Sequence, residues 1–148
     1  MTKSLPLDLA AIFMFVGAVF HIACLFGGAD WLLFAGAPAA FAEAYRQGAV
    51  SPIYWTVGIA VMLVVWGLYA LSAAQRIRPL PVLKIGVALI GTLMFLRGII
   101  GLGALVLTDW PWDTAKGQFH AIASFMIFGV GLFYYAGLIA LVRAKKES

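Results

Sequence analysis

The sequence predicts an all-α integral membrane protein: four transmembrane helices in an antiparallel up-down-up-down bundle, with a short interfacial helix in the first outer loop. Three observations predict it. Apolar residue types make up 64% of the 148 residues and charged ones only 11%, where soluble domains carry about a quarter charged. The charges leave long uninterrupted apolar intervals, each meeting the ~20 residues a helix needs to cross ~30 Å of hydrocarbon. Basic residues and tryptophans gather at opposite ends of those intervals, the arrangement of a membrane-embedded chain.

The first interval runs from Leu9 to Ala29 between Asp8 and Asp30, predicting a span over 9–29. Lys3, an apolar run and Gly27-Gly28-Ala29 also resemble a secretory signal peptide, but the run exceeds the roughly 7 to 15 apolar residues of that signal, so a retained helix is expected. In the following "GGADWLLFAGAPAAFAEAYRQGAVSP", Pro38 suits a first helical turn and Gly48 the position after a last one, predicting an outer-surface helix over 39–47. The uncharged stretch between Arg46 and Arg76 gives a second span over 52–75. Pro79 and Pro81 stop it before the third, making those two spans antiparallel neighbours. The third covers 84–108, interrupted only by Arg97, and the fourth covers 117–142 between Lys116 and Arg143. All four form one domain over 1–148.

Orientation follows from the basic residues. Lys3, Arg76, Arg78, Lys84, Arg143, Lys145 and Lys146 fall on one side of a four-span arrangement, and only Arg46 and Lys116 on the other. By the positive-inside rule both termini are cytoplasmic, and a bacterial inner membrane is the expected location. Trp31, Trp55, Trp110 and Trp112 then form an outer aromatic belt with Asp30, Glu43, Asp109 and Asp113, and the paired Tyr134 and Tyr135 read as anchors nearer the cytoplasmic end. The net charge of +4 is a topology signal. No basic patch of groove size accompanies a nucleic-acid-binding motif, so a nucleic-acid partner is not expected.

Within the apolar intervals the ionisable side chains, besides Cys24 and tyrosines, are His21, Arg97 and His120. A charge at membrane depth is costly, at least ~2.5 to 3.5 kcal/mol for arginine, and marks a functional candidate. His21 is flanked at helical spacing by Met14, Gly17, Ala18, Cys24 and Gly28. Arg97 is flanked by Gly86, Ile90, Met94, Gly101 and Ala104, and Ser124, Ile127 and Gly131 follow His120. Such small residues bring helices close, turning the three groups inward toward an outward-opening polar pocket. Tyr54 and Thr56 would supply hydroxyls and Glu43 a carboxylate. That pocket leans positive and suits a small amphiphilic or anionic ligand, such as a lipid headgroup or a quinone.

Two other functions follow from the same residues. One is a structural or accessory subunit of a membrane complex or a homo-oligomer, its small-residue faces docking a partner. The other is a b-type haem protein with His21 and His120 as axial ligands and Gly17 making room for a flat ring, or a copper or zinc site built from His21, Cys24 and His120. The sequence has no Walker motif, paired CxxC, HExxH or G-x-S-x-G, so no catalytic residue is assigned and binding is favoured over catalysis. A single cysteine permits no internal disulfide.

The basic-residue asymmetry makes a topological prediction. In a Cys24→Ser background, Gly48→Cys should react in intact cells with a membrane-impermeant thiol reagent, and Ser148→Cys only after permeabilisation. The reverse pattern would invert the topology.

Overall fold

The computed structural model describes residues 4–144, with side chains through Arg143. Among them are five helices and no strand: α1 (Leu5–Phe34), α2 (Ala39–Arg46), α3 (Ser51–Ala73), α4 (Leu83–Leu107) and α5 (Ala115–Ala144). All but α2 are long and apolar enough to cross a membrane, consistent with a multi-pass membrane protein. Helices are what such sequences must form, because hydrocarbon offers no partner to a backbone N–H or C=O and a helix satisfies them within one segment.

The ends differ from the expected spans for local reasons. α1 starts at Leu5 rather than near residue 9 because Asp8 does not exclude the chain from a helix. It occupies the first turn, where the helix dipole favours an anion, and the Ser4 carbonyl accepts the amides of Leu7 and Asp8. α5 starts at Ala115 because Thr114 caps it, its Oγ1 accepting the Gly117 amide at 3.0 Å. Lys116 is thereby taken into the first turn. A short helix forms within a residue of the expected range: Pro38 is the N-cap of α2, and Gly48 follows its end with φ 80°, the left-handed conformation glycine adopts most easily.

Two compact units divide the chain, one holding residues 14–65 and the other residues up to Phe13 together with Trp66 onward. In the second, α4 and α5 pack along their length. Gly91 meets Tyr134, Gly131 meets Phe95, Gly98 meets Phe128 and Gly101 meets Ser124. The pairing climbs one helix as it descends the other, so the two run antiparallel. A Cβ on Gly98 would lie 2.5 Å from the Phe128 Cα, and one on Gly131 would lie 2.6 Å from the Phe95 amide nitrogen; backbone atoms cannot yield as side chains do. These glycines are therefore the space through which the helices touch. Phe95 fills the seam, its ring stacked 5.0 Å from Phe128.

The same unit corrects one expectation. Tyr134 is no interface anchor. Its side chain is fully buried and its hydroxyl donates to the Trp66 carbonyl at 2.7 Å, whereas Tyr135 bonds Thr92 at 2.8 Å. Ser72 organises the α3–α4 connection, donating to the Arg78 carbonyl and accepting the Leu80 amide. Arg76, in that connection, holds both carboxylate oxygens of Asp8, with Nε at 2.9 Å. The start of α1 and the α3–α4 connection therefore lie at one end of the unit, and the hydrogen bonds to Asp8 raise the Arg76 guanidinium further above its ordinary value.

Gly98→Ala should lower thermal stability in detergent by about 1 to 3 kcal/mol through overpacking. Gly103→Ala, where an added Cβ meets nothing within 4 Å, should change it little or raise it through helix propensity. Equal effects of the two substitutions would show that the α4–α5 approach is not close.

Candidate functional site

The unit of residues 14–65 contains a cavity of about 450 Å³ built from α1, α2 and α3. Its construction begins at Gly28. There the backbone takes φ 76° and ψ −162°, a region essentially closed to residues with a Cβ, and α1 is broken into a long helix and a short one reaching Phe34. A break in an apolar helix frees carbonyls that hydrocarbon cannot satisfy. One is answered by α2: the Tyr45 hydroxyl donates to the Leu25 carbonyl at 2.7 Å. Arg46 reaches Asp30, beyond the break, at 2.6 Å, and the small side chain of Ala42 is fully buried. Hydrogen bonding to Asp30, then to Glu43, raises the Arg46 guanidinium above its ordinary value, so the clamp stays ionised.

Beneath this clamp His21 and Cys24, in the last turns before the break, face the cavity with Trp55, Thr56 and Ile59 of α3; Phe41 of α2 and the turn at residues 35–38 complete the wall. The lining is almost wholly apolar and contains no lysine, arginine or carboxylate. Its polar atoms are oriented by bonds they already make. His21 Nδ1 lies 2.8 Å from the Gly17 carbonyl, and a carbonyl only accepts, so the bond requires the proton on Nδ1. In the neutral ring Nε2 is then an acceptor. The buried Thr56 hydroxyl donates to the Pro52 carbonyl at 2.8 Å, leaving its lone pairs.

Of the expected site residues, His21 and Thr56 are brought together with Cys24. Tyr54 is 72% exposed and outside the lining. Glu43 is on the surface of α2, held by Arg46 and Gln47. Arg97 and His120 belong to the other unit. Arg97, expected to face inward, is exposed, and among the described residues it has neither hydrogen bond nor ion pair. His120 is half-buried near the start of α5, its carbonyl accepting the Ser124 hydroxyl.

The metal expectation is not met by the described side chains, among which no three His, Cys, Asp or Glu residues come together to hold an ion. The space at Gly17 invoked for a haem ring is met by Leu63, which an added Cβ would touch at 3.4 Å. Composition gave no warning of the break at Gly28 or of the Phe41 and Trp55 walls. The available signals were the Gly27-Gly28 pair inside an apolar run and Asp30 just beyond it, a carboxylate needing a partner. No family model matches the sequence, and neither the curated proteins nor the solved structures searched give a significant match.

If Tyr45 satisfies the carbonyl freed at the break, Tyr45→Phe should speed amide hydrogen exchange across α2 by about fivefold, the worth of roughly one hydrogen bond, and leave α4 and α5 unchanged. Unaltered protection of α2 would remove the bond from the clamp.

Proposed function

We propose that this chain is a multi-pass membrane protein of the bacterial inner membrane that holds a small amphiphile with a hydroxyl head, a quinol above all, in the α1–α2–α3 cavity. The carrying observation is the cavity itself, whose volume falls in the ~300 to 1,000 Å³ range of small-molecule sites and whose apolar wall is interrupted by a few oriented polar atoms. His21 Nε2 and the Thr56 oxygen offer lone pairs to a ligand O–H. In this proposal the indole N–H of Trp55 donates back to the same oxygen. With no cation in the lining, a neutral head is better matched than an anionic one. The apolar wall takes the rest of the ring and the first part of a tail.

In this proposal the four long helices run up-down-up-down with both termini cytoplasmic, and α2 lies at the outer interface covering the site. Support comes from the seven-to-two division of basic residues between the two sides of the membrane. It also comes from the Asp8–Arg76 pair, which joins two segments assigned to the same side. The role is binding, with membrane lipid as the surroundings and competitor.

The test is equilibrium binding of a decyl-substituted benzohydroquinone and of its dimethyl ether to the purified chain. The hydroquinone should bind more tightly, and His21→Leu should weaken it at least about fivefold, the cost of an unmade buried hydrogen bond. His21→Leu should leave ether binding unchanged. Equal affinities for the two compounds in the parent, or an unaffected His21→Leu variant, would reject the proposal.

A further inference from the structure

Arg97 lies ten residues before Leu107, the last residue of α4, and fourteen after Leu83, the first. At 1.5 Å per residue it is about 15 Å from one end of the helix and about 21 Å from the other. An exposed guanidinium at that depth needs a counter-charge or a dense set of acceptors. The described carboxylates are otherwise placed. Asp8 holds Arg76, Asp30 and Glu43 hold Arg46, and Asp109 and Asp113 lie exposed in the connection between α4 and α5.

Phospholipid phosphates lie at the bilayer surfaces, farther than an arginine side chain fully spans by snorkelling. The neighbours of Arg97 on α4 strengthen the contrast: Leu93, Leu96 and Ile100 are 52%, 50% and 69% exposed. They make an apolar ridge beside a single positive charge. A second copy of this chain does not match it, since the apolar intervals of its own four spans contain no carboxylate.

We propose that this face of α4 docks a membrane-spanning helix of a different protein, one that is apolar along its length and carries a single carboxylate near mid-membrane. The leucines and isoleucine pack against the partner's apolar side chains, and Arg97 makes a charge-assisted hydrogen bond to its Asp or Glu, bidentate where the geometry permits. None of these α4 residues lines the His21 cavity, and the proposal stands or falls independently of ligand binding there.

The experiment reconstitutes the full chain in phosphatidylcholine vesicles with a synthetic Leu/Ala-rich transmembrane peptide bearing one central Glu, and with the same peptide bearing Gln. Association is read by energy transfer between labels. The Glu peptide should associate roughly tenfold more tightly than the Gln peptide, the order of a polar interhelical contact in a bilayer. Arg97→Leu should abolish that difference and Arg97→Lys should keep part of it. Equal association of the two peptides with the parent overturns the proposal, as does a Glu preference that survives in Arg97→Leu. A third arm compares retention of phosphatidylglycerol with that of phosphatidylcholine. Anionic lipid retained by the parent and lost from Arg97→Leu, with no preference for the Glu peptide, assigns Arg97 to lipid instead and equally overturns it.

Discussion

The constraint on which the structure depends is that a backbone buried in hydrocarbon must find every hydrogen bond within the protein. It turns the four apolar intervals into helices, and it governs the place inside α1 where helical geometry fails. At Gly28 the chain departs from the helix, and the Leu25 carbonyl accepts a tyrosine hydroxyl from α2. α2 is thus tied to the long part of α1 by the bond that the break requires, and the Arg46–Asp30 pair ties it to the part beyond the break. Cavity, cover and clamp share this origin. The side chains obey the same rule: among the described residues no buried side-chain nitrogen or oxygen lacks a partner.

Polar groups within the apolar helices have been given different tasks by their surroundings. Tyr134 is buried and spends its hydroxyl on the Trp66 carbonyl, a packing role. His21 spends one ring nitrogen on its own helix and lines a cavity. The bond to Gly17 puts the proton of the neutral ring on Nδ1 and leaves Nε2 an acceptor. Arg97, by contrast, makes no hydrogen bond or ion pair among the described residues.

Much of the helical architecture was legible in the sequence because charge spacing and apolar run length are direct consequences of membrane thickness. α2 was legible from Pro38 and Gly48, residues whose backbone restrictions act locally. What could not be read was whatever depends on a distant partner. Asp8 and Lys116 mark ends on a charge count, yet ion pairing at the first and capping by Thr114 beside the second carry the helices past them. Of the six expected ligand-binding residues, His21 and Thr56 line one cavity. Helical spacing identifies which residues share a face but not which way the face turns, so the inward direction expected of Arg97 is not the one it shows, and Tyr54, expected to add a hydroxyl to the cavity, is exposed.

The Asp8–Arg76 pair has a consequence in time. Its partners are separated by 68 residues, and a ribosome adds about 5–20 residues per second. The first helix therefore has its Asp8 synthesised on the order of 3 to 14 seconds before Arg76, its counter-charge. Through that interval its acidic first turn must be tolerated by headgroups, water or the insertion machinery. The start of α1 reaches its final setting only when the second long helix and the turn after it have been delivered, so early truncations of this protein are incomplete in electrostatics as well as in packing.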